Sequence, residues 1–329
     1  MQSLRNSLED YINKNKLKEK KIGLACSGGV DSMVLLDLLV QLISKKNLYI
    51  YHCNHSWHNR SHDIKVALKN FAENLGINFH SIDLDFSKLK KTEDQARKLR
   101  LDYFLEKSAS LNIEDLFMAH HLDDDAETIL FRIIRGTAIS GLAGIKEQNT
   151  FISQKSENDE NAEIGVPLHA HHQSLKIHRP LLSFTKAEIE EYANFKNIEY
   201  WEDPSNKSDI YARNRIRLNI FPEAEKINPK FKSNIQNLSN LIIEQENFIE
   251  TITKNTINDL GELPWSLEKF KTIHKAIQRR ILAIFFTKNI SFQNDFLAAI
   301  EIGGFHRINF EKEKFFTIKQ KKIFLENLL

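Results

Sequence analysis

Cysteine is almost missing from this chain of 329 residues: Cys26 and Cys53 are the only two, and 26 residues lie between them. That spacing gives no C-x-x-C pair, so paired-thiol sulfur chemistry has no support, and such sparse cysteine fits a protein of a reducing compartment. No apolar run reaches the length that spans a bilayer and no signal-peptide pattern opens the sequence, so the expectation is a cytoplasmic protein with no membrane partner. A dominant charge is missing too. With 46 basic against 44 acidic residues the formal net charge is +2, so any surface for a polyanion has to be a local patch. No tandem repeat is present. Neither a Walker G-x-x-x-x-G-K-[ST] loop nor a G-x-G-x-x-G fingerprint follows the first strand-like run, which disfavours P-loop kinases, GTPases and dinucleotide enzymes. His52, Cys53, His55, His58 and His62 crowd together, as do His169, His171 and His172, but neither group has the ligand spacing of a structural zinc site, and no metal site is expected.

What is present reads as α/β. Short apolar runs ("KIGLAC", "NLYIYHC", "NFHSIDL", "LFMAH") alternate with helical patterns that begin near Ser32 and cover about Asp63–Asn74, Thr92–Ser110 and Asp123–Arg135. Strands alternating with helices predict a doubly wound parallel sheet, with ligands at the carboxyl ends of its strands. The length calls for two modules. A first domain over 1–222 and a smaller, mainly helical one over 223–329, ending in the short strands "HRINF", "KFFTIK" and "KIFLEN", fit the pattern. Phe231, Ile235, Leu238, Ile242, Ile249 and Ile252, and then Phe270, Ile273, Ile277, Ile281 and Ile284, keep helical spacing and are expected to face that second core. Ser153–Glu163 is polar and aperiodic and reads as a surface insertion; Thr185 with Glu188 reads as a capping box.

The stretch "CSGGVDS" joins the first strand to the first helix. Small residues there let backbone N–H groups approach phosphate oxygens, and a helix N-terminus adds partial positive charge. An ordinary glycine turn with Ser32 as N-cap is the plain alternative. S-G-G-x-D-S in this context resembles the pyrophosphate loop of the PP-loop ATP pyrophosphatases. With "HCNHSWHNRSHD", "EDQARKLRLDYF", "AHHLDDDAETILFRIIRG" and "HRPLL" followed by "EYWEDPSNKSDIYARNRIRLNIFP", the resemblance from Lys21 to Pro222 narrows to the tRNA(Ile)-lysidine synthases. It implies an adenine nucleotide α hydrolase-like fold. The implied reaction uses ATP, with Mg2+ brought by the nucleotide, to adenylate C2 of the wobble cytidine in a CAU anticodon; free L-lysine then displaces AMP. The implied partners are tRNA(Ile) with that anticodon, ATP and L-lysine, with a homodimer as an open assembly. The family match weakens over the C-terminal hundred residues. Ala119, Asp125 and Ala138 depart from the family pattern, where glycine, glutamine and glycine are common.

Site residues follow by resemblance. Ser27, Gly28, Gly29, Val30, Asp31 and Ser32 would hold ATP, with His52 and His55 lining the nucleotide pocket and Cys26 facing the core. Asp124 and Glu127, three apart on one helix face, suit a substrate ammonium or a magnesium ion; the resemblance makes them lysine-binding, with His121 beside them. Asp123 and Asp125 read as an acidic first turn complementing the helix dipole. Arg97 and Arg100 suit a polyphosphate or the RNA backbone, or else a surface ion pair with Glu93, and are assigned to tRNA, as is Arg217. Arg213 and Arg215 are assigned to the adenylate or RNA. The expected catalytic set is therefore Asp31, Asp124, Glu127, Arg213 and Arg215. In the second domain Lys319, Lys321 and Lys322 lie in a basic stretch interleaved with Phe310, Phe315 and Phe316, and would grip tRNA phosphates or form a solvated lysine edge. Two rival readings stay open: a tRNA thiolase, and a nucleotide- or RNA-binding protein without turnover.

Overall fold

A computed structural model describes residues 2–54, 60–86, 92–152, 174–201, 212–285, 290–302, 306–311 and 314–327. The chain divides into two compact units, Met1–Ser239 and Asn240–Leu329.

The first unit is built on six strands, β1 (Ile22–Ala25), β2 (Leu48–Asn54), β3 (Asn78–Asp83), β4 (Asp115–Met118), β5 (Gln148–Ile152) and β6 (Ser174–His178), in the order β3-β2-β1-β4-β6-β5. All neighbours run parallel except β5, which pairs antiparallel with β6 at the edge. The expected doubly wound parallel sheet is thus mostly parallel, with one antiparallel strand, β5, at its edge, a common variation in such sheets.

Helices α1 (Gln2–Lys14), α2 (Val30–Leu42), α3 (Arg60–Leu75) and α6 (Lys186–Lys196) send Leu8, Ile12, Met33, Leu39, Leu68 and Ile189 into the core on one face of the sheet. On the other face Phe104 and Leu105 of α4 (Glu93–Ser110) pack with Tyr51, Leu116, Leu175 and Ile177. Burial on both faces explains why β4 is buried at all four positions instead of alternating. A chain of polar contacts crosses this core. The Tyr11 hydroxyl lies 2.9 Å from His178 Nδ1, His178 Nε2 lies 2.8 Å from Asp115 Oδ1, and Lys20 Nζ donates to Asp115 Oδ2 at 2.9 Å. Burial pushes the Asp115 carboxyl up, but His178 and Lys20 outweigh it and hold it below the usual range.

Helix starts largely follow the capping signals. Thr92 caps α4 by accepting from the Gln95 N–H, and the Thr185–Glu188 box opens α6. The first βα turn differs: α2 begins at Val30 with Gly29 at the N-cap, so Ser32 lies inside the first turn and does not cap the helix. Helix α5 (Leu122–Arg135) follows β4. Further on come α7 (Ala212–Arg215), a π-helical turn (Ile216–Ile220) and α8 (Phe221–Ile227). Pro222, at the start of α8, cannot donate to the carbonyl four residues back, and the Phe221 N–H reaches Ile216 O across the wide turn.

Helix α9 (Phe231–Leu260) contains the division between the units, later than the boundary expected at 222. Its apolar stripe is split as a result. Phe231 and Ile235 pack with Ala126, Ile216 and Phe221 in the first unit, Ile249 packs in the second, and Leu238 and Ile252 are exposed. The second unit adds α10 (Leu267–Lys271), α11 (Lys275–Phe285), α12 (Ile290–Ile302) and strands β7 (Trp265–Ser266), β8 (His306–Glu311), β9 (Lys314–Lys319) and β10 (Lys322–Asn327), in the antiparallel order β7-β10-β9-β8. The three terminal strands lie where the alternating runs put them. Phe270, Ile277 and Ile281 are buried with Trp265, Phe296 and Ile323, while Ile284, expected inside, is exposed.

Candidate active site

β1 and β4 are parallel neighbours, and β2 lies on one side of them while β6 lies on the other. The chain winds outward in both directions from this pair, so a crevice opens at their carboxyl ends, where α/β sheets bind ligands. The loop 26–29 leaves β1 into that crevice and residues 119–121 leave β4 into it.

Internal bonds fix the phosphate-loop candidate. The Ser27 Oγ accepts from the Gly29 N–H at 3.2 Å, the Ser32 hydroxyl donates to Gly29 O at 2.9 Å, and the Trp201 N–H donates to Gly28 O at 2.9 Å. The first helical bond of α2 runs from the Met33 N–H to Gly29 O, so the amides of Val30, Asp31 and Ser32 have no partner inside the helix and form an anion-binding end. Gly28 has φ +87°, and a β-carbon there would sit 3.0 Å from Ile64 Cγ2 and 3.3 Å from Trp201 Cε3. Gly29, with φ −76°, would meet only Ser27 Oγ, at 3.4 Å. The two glycines therefore serve different ends: the fold of the turn requires Gly28, whereas Gly29 leaves open the space a phosphate would use. Cys26 is buried beside Ser32, and burial pushes its thiol up, away from a reactive thiolate. His52 is buried too, its Nδ1 2.9 Å from Cys26 O, with burial holding its pKa down. His55 lies outside the described residues, as do Asp203, Pro204 and Asn206.

The first turns of α5 gather four carboxylates, engaged from several parts of the unit. Asp123 Oδ2 accepts from the Lys186 N–H at 2.8 Å, and its Oδ1 is paired with Lys232. Asp124 accepts from the His121 N–H at 3.0 Å and lies 3.6 Å from Arg217 Nη2. The buried Asp125 accepts from the Ile145 N–H, and a β-carbon on Gly144, at φ +59°, would collide with its carboxylate. Glu127, also buried, accepts from Arg217 Nη2 at 2.7 Å and Nε at 3.1 Å, with Arg213 Nη1 at 3.8 Å. Asp123 and Asp125 thus do more than charge a helix end: the first joins α5 to α6 and α9, and the second fixes the 136–145 loop. Burial lifts the Glu127 carboxyl above its ordinary range against the pull of Arg217, and lifts Asp125 to about 6.

His121 sits between the two acidic groups, its Nε2 3.7 Å from Asp31 Oδ1 and 3.5 Å from Asp124 Oδ2. Asp31 is itself engaged by Lys186, whose Nζ lies 2.8 and 2.9 Å from its two oxygens. The structure therefore brings together Ser27–Ser32, His121, Asp124, Glu127, Arg213 and Arg217. It adds Lys186, which the sequence reading did not single out; a lysine in the first turn of the capped helix that follows β6 was the available signal. Arg217, assigned to RNA contact, is the arginine on the acidic pair. Arg213 stacks its guanidinium 5.7 Å from the Phe131 ring centre, and Arg215 is exposed. Arg97 and Arg100 of α4 bear with Arg179 on the neighbouring His120, whose pKa is held at about 4, chiefly by burial. In the second unit Lys319 and Lys322 stand opposite each other across β9–β10; Lys319 Nζ lies 4.8 Å from the Phe324 ring centre, and Lys321 is paired with Glu268 at 3.0 Å.

Comparison with known proteins places this arrangement. A family model described as a PP-loop domain matches residues 2–224. The tRNA(Ile)-lysidine synthase of Petrotoga mobilis is 32% identical over 251 residues, covering 74% of this chain and 73% of that protein. The chain belongs to the tRNA(Ile)-lysidine synthase family. The bifunctional protein TilS/HprT of Listeria monocytogenes is 31% identical over 296 residues, 86% of this chain and 42% of that one. The chain spans about half the length of several curated relatives it matches, 41% to 55% in four of them. A U34-tRNA thiolase, NcsA of Methanococcus maripaludis, shares the fold: TM-score 0.56 and 20% identity, over 73% of this chain and 78% of that one. Among the described residues of this family member no helix is long and apolar enough to cross a membrane.

Two predictions follow from the geometry. Gly28→Ala is expected to lower stability by about 1–2 kcal/mol, the cost of a left-handed conformation with a β-carbon, whereas Gly29→Ala stays within about 0.5 kcal/mol of the parent; urea unfolding of both variants checks this. For Asp125 the pH dependence is defined. Below about pH 4 the carboxyl is protonated in folded and unfolded chains alike; from there to about pH 6 only the folded chain keeps its proton, so stability falls as pH rises. Asp125→Asn keeps an acceptor for the Ile145 N–H and carries no such penalty. It is expected to exceed the parent by about 2 kcal/mol at pH 7 and to match it below pH 4, read from urea midpoints across that range.

Proposed function

We propose that this protein ligates free L-lysine to C2 of the wobble cytidine of tRNA(Ile) bearing a CAU anticodon, at the expense of ATP. The C2 carbonyl oxygen attacks the α-phosphorus of ATP and pyrophosphate leaves; the lysine ε-nitrogen then attacks C2, and AMP departs with that oxygen. The product nucleoside is lysidine, and decoding changes from AUG to AUA.

One observation carries the reading. Beside a phosphate loop lacking the Walker lysine, Asp124 and Glu127 present a partly buried acidic pair already holding a cation, the Arg217 guanidinium. A substrate ammonium suits the same place, and its charge would offset the burial of Glu127 as Arg217 does. The ammonium must shed a proton before its nitrogen attacks, and burial lifts Glu127 toward the range where a carboxylate accepts one. Asp31 is the acidic side chain of the loop suited to the Mg2+ that ATP brings. His121 joins the two regions, Arg213 and Arg215 answer to the adenylate or the RNA, and Arg97 and Arg100 to the tRNA backbone. Lys319, Lys321 and Lys322 would add sequence-independent phosphate contacts. The protein works in the cytoplasm.

With ATP, labelled lysine and a CAU-anticodon tRNA, the expected products are lysidine-containing tRNA, AMP and pyrophosphate in equal amounts. ADP with inorganic phosphate would mean a different ATPase, and nucleotide binding with no pyrophosphate release would mean a binding protein. Asp124→Asn is expected to raise the KM for lysine by at least about tenfold, in keeping with the 2–5 kcal/mol lost on truncating a buried charge pair, with the KM for ATP within about twofold of the parent. Steady-state kinetics with each substrate varied in turn checks this; equal loss on both would make Asp124 a metal ligand.

A further inference from the structure

The phosphate loop brings no cation of its own. From Cys26 to Ser32 its only charged side chain is Asp31, an acid, at the place where a polyphosphate needs positive charge. The compensating charge comes from a helix 155 residues further along the chain: Lys186 Nζ lies 2.8 Å from Asp31 Oδ1 and 2.9 Å from Oδ2. Its backbone is fixed independently of that contact. The Lys186 N–H donates to Asp123 Oδ2 at 2.8 Å, and the Thr185–Glu188 box sets the start of α6. The side chain is a third exposed and that of Asp31 about a quarter, so the pair stands at the crevice wall and not within the core. An ammonium has three N–H donors; Asp31 engages two, and with Glu190 Oε1 at 3.9 Å, beyond hydrogen-bond range, a third remains for another acceptor. Beside it the free amides of Val30, Asp31 and Ser32 draw an anion to the same spot.

This deepens the functional reading above and rests on it. We propose that Lys186 is the phosphate-loop lysine of this protein, delivered from α6, and that it binds the β- and γ-phosphates of ATP, the part that leaves as pyrophosphate. Asp31 keeps the ammonium in place while the site is empty. AMP lacks both of those groups, so Lys186 distinguishes ATP and pyrophosphate from AMP.

Equilibrium binding of ATP, pyrophosphate and AMP to the full chain tests this. Lys186→Met is expected to weaken ATP and pyrophosphate about ten- to a hundredfold, as for loss of a hydrogen bond from a charged donor, with AMP affinity and melting temperature as in the parent; Lys186→Arg binds ATP more tightly than Lys186→Met. The double variant Lys186→Met with Asp31→Asn, measured in EDTA, separates contact from neutralisation. It stays weak if the ammonium touches phosphate; parental ATP affinity in that variant overturns the inference, because Lys186 would then only mask Asp31. Unchanged ATP binding in Lys186→Met, or equal losses for AMP and ATP, also overturns it. A parent that binds ATP while Lys186→Met behaves identically refutes this inference alone, whereas a parent that binds none of the three ligands refutes the functional reading as well.

Discussion

Negative charge gathered at one helix start governs the first unit. Asp123, Asp124, Asp125 and Glu127 fall within the first turns of α5, and none is more than partly exposed. Carboxylates this close and this dry stay folded only if each finds a donor. Compensation comes from all around: the Lys186 amide and Lys232 for Asp123, the His121 amide for Asp124, the Ile145 amide for Asp125, and Arg217 with Arg213 for Glu127. Apart from the His121 amide, the N-cap of α5 itself, these donors come from four other segments, so satisfying the charges also fixes α6, the 136–145 loop, the arginine helix and the first turns of α9 around one point. Electrostatic need and site assembly are the same event here.

The same economy explains why the division between units falls where it does. A boundary after Pro222 would leave Lys232 and the apolar pair Phe231 and Ile235 without their partners in the first unit. The start of α9 is held to the acidic cluster by charge and to Phe221 by packing, so the helix leaves the first unit only past these contacts.

Much of this was legible in the chain because the local rules agree with the fold. Apolar runs of four to seven residues gave β1 to β4, the small-residue turn gave the phosphate loop, and Thr92, Thr185 and Glu188 marked two helix starts by side chains whose bonds are local. The three-residue spacing of Asp124 and Glu127 put them on one face, as a helix must. What escaped was set by contacts distant in sequence. Nothing local distinguishes Arg217 from Arg215, and both are exposed, yet it is Arg217 that meets Glu127. Lys186 looks like any first-turn lysine until its distance to Asp31 is known. Periodicity also over-assigned the core: Leu238, Ile252 and Ile284 keep the helical phase but are exposed.

The π-helical turn has a consequence for how the chain tolerates insertion and deletion. Ile216 and Phe221, five residues apart, are both buried in the cluster with Ala126. In a regular α-helix, at about 100° per residue, positions five apart point about 140° away from each other; the wider turn brings them back to one side. The helix thus runs on two phases, one set by Arg213 and Arg217 at α-spacing toward Glu127, the other by the aromatic anchor beyond. A one-residue deletion between Arg217 and Phe221 would leave Ile216 and the anchor four apart on an ideal helix, about 40° from each other, and so keep the arginines in phase with it. The π turn is thus where this segment absorbs one residue without losing its phase, and a change of length elsewhere in the helix would not be absorbed in that way.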